Sequence, residues 1–150
     1  MRVSVIGLGK LGAPLAAALA SKGQDVVGVD LNPEYVRLLS AGKAPVDEPQ
    51  LQELIDAGRA RLRATTSFPE AVRDSELSVI IVPTPSGADG AFSNRHVVAA
   101  VEEIGKALRD KPDYHVVSVT STVMPGSTGG EIRAALEFSS GRTVGENLGL

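Results

Sequence analysis

The sequence predicts an α/β fold in a single domain, with a doubly wound, mainly parallel sheet and helices on both faces. Three features of the 150 residues support this. Short apolar runs alternate with longer helix-compatible segments, and four of the five runs are dense in Val and Ile, as strands buried on both faces should be. Glycine and proline punctuate the boundaries and form no low-complexity tract. A composition of 43% hydrophobic and 22% charged residues suits one core in one domain.

The elements follow in chain order. Residues 2–6 are the first strand, ended by Gly7, and 11–21 the first helix. Residues 25–29 form the second strand and 33–41 a helix. A loop over 42–49 with two prolines follows, and the second, Pro49, marks the start of a helix at 51–57. Residues 62–65 are the third strand, 69–74 a short helix and 77–82 the fourth strand. The chain continues with a helix at 96–109, a strand at 115–119 and a helix at 129–137. No self-similarity with a period of 20–50 residues is present, which excludes a solenoid. Residues 139–150 are a turn-rich link resembling the approach to another strand, so the expectation is an N-terminal domain of a longer protein.

Several function classes drop out early. Lys plus Arg number 15 against 18 Asp plus Glu, a net charge of −3, which argues against nucleic acid or an anionic membrane as a general partner. Any anion bound here needs a local device. The absence of cysteine removes disulfides, thiolate metal sites and a thiol nucleophile from these residues. No apolar run approaches the roughly 18 residues of a membrane span, and the first residues are too short for a signal-peptide core, so a cytoplasmic setting is expected.

The local device is visible in residues 7–12, Gly7-Leu8-Gly9-Lys10-Leu11-Gly12, a G-x-G-x-x-G directly after the first strand and at the mouth of a helix. Gly7 permits the tight turn, Gly9 lets a pyrophosphate approach the backbone, and Gly12 allows the helix to pack on the strand. The free amides and positive end of that helix then face the phosphates. Lys10 either adds charge near them or is solvated on the helix's exposed side. Asp30 ends the second strand 21 residues beyond Gly9, close to the offset at which a carboxylate takes the ribose hydroxyls. A carboxylate there repels a 2′-phosphate, so the expected cofactor is NAD, not NADP.

Two further segments should reach the reactive end of that cofactor, beyond the carboxyl ends of the strands. Pro83 and Pro85 stiffen the exit of the fourth strand and fix Thr84 as a hydroxyl donor. Thr120, Ser121 and Thr122 leave the fifth strand as a hydroxyl cluster, with Ser127 or Thr128 placed to cap the next helix.

Other polar residues read more plainly. His96 and His115 have no carboxylate or second His at ligand spacing, so neither is assigned to catalysis or a metal. Arg59, Arg61 and Arg63 alternate, which suits a solvated edge better than a phosphate track. Asp47 and Glu48, adjacent in a proline-bounded loop, resemble an acid/base pair only superficially.

With these segments in place, the chain resembles the NAD-binding domain of the UDP-glucose/GDP-mannose dehydrogenase family. The resemblance covers nearly all 150 residues and runs through 5–12, 28–33, 42–49, 62–66, 82–85 and 121–126. The first two motifs are common to many dehydrogenases; the other four in this order are far more specific. The resemblance implies a Rossmann-like fold and an NAD-dependent, two-step oxidation of a nucleotide-diphosphate sugar at C6, from alcohol to carboxylate, as in polysaccharide biosynthesis. It also implies that a cysteine thiol captures the intermediate aldehyde from a later segment, that Gly7, Gly9, Gly12, Asp30, Thr84 and Thr122 contact the cofactor, and that Thr122 lies near the water of the second step. The parent enzyme is then expected to be a homodimer or larger. Departures from the family pattern occur at Lys10, where an aromatic residue is common, at Tyr35, where a basic one is frequent, and at Thr120, often charged. Two rivals are a β-hydroxyacid dehydrogenase-type cofactor domain, whose start also reads as a glycine triplet followed by Pro14-Leu15-Ala16, and an NAD-sensing module that moves no hydride.

Overall fold

A computed structural model describes residues 1–87 and 90–150. Among these, six strands form one all-parallel sheet: β1 (Arg2–Ile6), β2 (Asp25–Val29), β3 (Leu62–Thr65), β4 (Leu77–Ile80), β5 (His115–Val119) and β6 (Leu148–Gly149). Their order is β3-β2-β1-β4-β5-β6, so the direction of winding reverses between β1 and β4. In such a sheet, ligands bind beyond the carboxyl ends of the strands at that reversal.

The helices divide into two sets, one for each face. Helices α1 (Gly12–Ser21), α2 (Pro33–Ser40) and α3 (Leu51–Gly58) bury Ala13, Ala16, Ala17, Leu39, Leu51 and Ile55 against Val3, Val5 and Val26. Helices α4 (Phe68–Arg73), α5 (Arg95–Leu108) and α6 (Arg133–Ser140) bury Val72, Val97, Val101, Ile104 and Leu136 against Ile6, Val29, Ile80 and Val117. The central strands therefore lie between two apolar layers, which is why their sequences carry Val and Ile on both faces. No helix among the described residues is long and apolar enough to cross a membrane.

The boundaries depart from the sequence reading where side chains decide them. β4 stops at Ile80 instead of residue 82, because the backbone of Val82 is taken by the Ser121 hydroxyl and Pro83 has no amide for a ladder. Helix α4 starts at Phe68, with the Ser67 hydroxyl accepting the Glu70 amide at 3.3 Å. The last helix does not begin as a capped α-turn at 129. A wide turn spans Thr128–Ile132, with the Ile132 amide donating to the Ser127 carbonyl at 3.1 Å, and neither Ser127 nor Thr128 caps it through a side chain. Gly129 and Gly130, poor α-formers, sit in this widened turn. The terminal link does reach a further strand: Leu148 pairs with His115 and Gly149 with Val116, and Leu148 is fully buried.

A polar network lies inside the sheet, away from its carboxyl edge. Ser4 and Ser78 share a 2.7 Å hydrogen bond, Ser75 donates to Ser4 at 3.2 Å, and Ser78 meets His115 Nε2 at 2.8 Å. The Lys111 ammonium donates to the carbonyls of Val72 and Ser75 and to His115 Nδ1 at 3.3 Å. With Nδ1 accepting, the imidazole carries its proton on Nε2 and is neutral. Burial, reinforced by the positive charges of Lys111 and Arg142, pushes His115 down to about 4. His115 is thus a satisfied core histidine.

The alternating arginines are latches. Arg61 pairs with Asp25 at 2.7 Å, Arg63 with Asp74 at 2.6 Å and with Glu70, and Arg59 donates to the Ser40 carbonyl at 3.0 Å. They tie down the β3 edge of the sheet and its approach.

Candidate dinucleotide site

The turn after β1 is shaped by two close approaches. Gly7 has φ +99°, and a Cβ there would stand 2.1 Å from the Ile81 carbonyl oxygen. A Cβ on Gly12 would stand 1.8 Å from the Gly7 carbonyl oxygen. Only glycine lets the strand, the turn and α1 meet this tightly. Gly9 differs: nothing lies within 4 Å of where its Cβ would be, so the backbone there faces open space.

Helix hydrogen bonding starts with the Ala13 amide donating to the Gly9 carbonyl at 3.0 Å. The amides of Gly9, Lys10, Leu11 and Gly12 have no partner among the described residues. They form the positive end of α1, and they line a groove of about 440 Å³ together with Asp30, Tyr35 and Pro83. A row of free amides beside a glycine with empty space over it suits a pyrophosphate. Leu11 is 73% exposed at the helix mouth and Lys10 is exposed beside it.

Asp30 forms the far wall. Its Oδ2 accepts the Leu8 amide at 2.6 Å and its Oδ1 the Asn32 amide at 2.8 Å, which fixes the carboxylate between the phosphate loop and the start of α2. A carboxylate has about four lone-pair sites, so two remain to accept further donors. Asp30 and Pro83 also border a second cavity, an apolar slot of about 220 Å³ on the other side. Leu31, 82% exposed, and Phe68 flank this slot, and α5 contributes His96, Ala99, Ala100 and Glu103. The sequence reading missed the slot. Its signal was present in the spacing 96, 99, 100, 103, one face of α5.

Six predicted residues, Gly7, Gly9, Lys10, Leu11, Gly12 and Asp30, thus line one groove. Thr84, Ser121 and Thr122 do not line it; they stand at the exits of β4 and β5, which are paired neighbours at the carboxyl edge. The Ser121 hydroxyl accepts the Val82 amide and donates to the Val82 carbonyl, both at 2.9 Å, so it ties the two strand exits together. The hydroxyls of Thr84 and Thr122 have no hydrogen-bond partner among the described residues. Among those residues, no group of three or more His, Asp or Glu is placed to hold a metal ion.

Known proteins share this sequence pattern and this fold. The model of the UDP-glucose/GDP-mannose dehydrogenase family, NAD binding domain, matches residues 1–149. GDP-mannose 6-dehydrogenase of Pseudomonas syringae pv. tomato is 42% identical over 100% of this chain and 35% of its own length. UDP-glucose 6-dehydrogenase of Haloferax volcanii is 40% identical over 99% of this chain and 34% of its own. The crystal structure of a ternary complex of GDP-mannose dehydrogenase from Pseudomonas aeruginosa superposes with a TM-score of 0.96 at 40% identity, covering 99% of this chain and 35% of that one. The chain spans about a third of the length of these relatives. With the free amides at the mouth of α1, the fixed Asp30 and the match over residues 1–149 together, the chain belongs to the UDP-glucose/GDP-mannose dehydrogenase family, as its NAD binding domain.

Proposed function

We propose that this chain is the cofactor domain of a nucleotide-sugar 6-dehydrogenase, which oxidises the C6 alcohol of a nucleotide-diphosphate sugar to a carboxylate in two NAD-dependent steps. The observation that carries the proposal is the row of unpartnered amides at residues 9–12, facing a groove whose opposite wall is the Asp30 carboxylate. NAD, when bound, supplies the hydride acceptor. The amides of Gly9 to Gly12 hold its pyrophosphate, Asp30 accepts from the adenosine ribose, and the apolar slot between Leu31 and Ala99 takes the adenine. Thr84 and Thr122 serve the nicotinamide end with their unpaired hydroxyls, Thr122 orienting the water of the second step, while Ser121 keeps their two loops in register.

The substrate class follows from relatives that are GDP-mannose and UDP-glucose 6-dehydrogenases. This chain spans about a third of their length and contains no cysteine, so thiol capture of an aldehyde falls to residues outside these 150. A cytoplasmic parent enzyme that is a homodimer or larger belongs to the same proposal.

Calorimetry of the chain with NAD and NADP, and NADH formation by the complete polypeptide supplied with GDP-mannose, UDP-glucose and their amino-sugar relatives, test the proposal. The expected results are tighter binding of NAD than NADP, no turnover by these 150 residues alone, and NADH from one nucleotide sugar. Equal or tighter NADP binding, or silence with every nucleotide sugar alongside turnover of a hydroxyacid, would overturn it.

A further inference from the structure

The slot is walled by hydrocarbon from Val29, Leu31, Phe68 and Ala99, and it has two carboxylates, Asp30 on the side of the groove and Glu103 on α5. His96 and Glu103 are seven residues apart on the same face of α5, about 10 Å along the helix axis, with Ala99 and Ala100 as a small-residue floor between them. In a pocket this apolar, the few polar groups present fix the orientation of what enters.

Glu103 is held at one oxygen only. Its Oε1 pairs with Lys106 Nζ at 2.5 Å, whereas Oε2 has no partner among the described residues. The ion pair therefore restrains the side chain and leaves a second oxygen that can only accept. We propose that Glu103 selects the base of the dinucleotide by accepting a hydrogen bond from an exocyclic amino group of the purine, so that a 6-amino purine is bound in preference to a 6-oxo purine. The proposal rests on the NAD reading above and adds to it a base-selecting residue. At the 6-substituent a 6-oxo purine turns an acceptor toward the Glu103 oxygen, its neighbouring donor N1–H lying one ring position away, and sites built around the exocyclic bond discriminate against the analogue that lacks it. A glutamine at this position would supply a donor and suit the 6-oxo group.

The test compares dissociation constants of NAD and nicotinamide hypoxanthine dinucleotide, by calorimetry, for the chain and its Glu103→Gln and Glu103→Ala variants. Circular dichroism checks that each is folded; the Glu103 side chain is 47% exposed, and the two replacements act as independent checks on each other. The wild-type chain is expected to favour NAD by about tenfold or more. Glu103→Ala should bring the two ligands to within about threefold of each other, and Glu103→Gln should equalise or reverse the order. A merely structural Glu103 would weaken both ligands together and leave the wild-type ratio intact in both variants, and that result overturns the proposal. If the wild-type chain binds neither dinucleotide, the NAD site itself is refuted, and the base-selecting role falls with it.

Discussion

Asp30 and Leu8 are joined by a 2.6 Å hydrogen bond from the Leu8 amide to Oδ2, so the residue proposed to face the ribose also locks the glycine loop after β1. Cofactor discrimination and loop order are therefore coupled. Asp30→Ala removes both acceptors at once, leaving the Leu8 and Asn32 amides without their partner. It is expected to weaken NAD binding by about 1.5–3 kcal/mol, the range for hydrogen bonds to a charged group, and to narrow the NAD-to-NADP ratio. Calorimetry with both nucleotides checks this; an unchanged ratio would show that Asp30 serves the loop alone.

Gly9 and Gly12, three residues apart, should fail in different ways. A methyl group at Gly9 meets nothing in the chain, and φ there lies outside the left-handed region. Gly9→Ala is therefore expected to leave stability within about 0.5 kcal/mol of the parent while weakening NAD binding about tenfold or more, because the methyl fills the pyrophosphate's space. Gly12→Ala pushes into the Gly7 carbonyl and is expected to cost about 1–3 kcal/mol of stability before any ligand is added. Urea unfolding of the two variants separates the effects.

His115 gives the stability a defined pH dependence. Its folded value, about 4, lies below the ordinary 6.5, because burial and the charges of Lys111 and Arg142 disfavour the imidazolium. Between those values the unfolded chain holds more protons than the native one, so stability rises with pH. The contribution, on the order of 3 kcal/mol, is fully present above about pH 6.5 and is lost as pH falls towards 4. Urea midpoints for the wild type and His115→Gln at several pH values check this. The variant should show a flatter profile over that window, and identical profiles would remove His115 as the cause.

Arg142 is a clamp on backbone oxygens. Nη1 donates to the carbonyls of Asp113 at 2.8 Å and Asn147 at 3.2 Å, and Nη2 to those of Leu108 at 2.8 Å and Lys111. These close the end of α5 and hold the approach to β6. Arg142→Ala is expected to lower stability by about 2–4 kcal/mol, and Arg142→Lys to recover only a minor part, since an ammonium cannot reproduce the planar fork. Thermal unfolding of both variants measures the difference.

The sequence by itself determined the doubly wound fold, the two-faced burial of the strands and the six residues that line one groove at the mouth of α1. Each of these is local: a Val-rich run, a glycine triplet and a carboxylate at a fixed offset from it are covalently spaced, so their relation survives in one dimension. Tertiary packing decided the rest. The apolar slot needs Leu31, Phe68 and Ala99, which meet only when α4 packs on β2 and α5 packs on α4. The ends of β4 and the last helix were set by the Ser121 hydroxyl and by a widened turn at a glycine pair, neither of which leaves a periodic signature. His115 became a core residue because Ser78 and Lys111, 37 and 4 positions away, satisfy both of its nitrogens. Partners brought together by long-range strand pairing and packing carry no fixed spacing, and so it is the fold that decides what such side chains do.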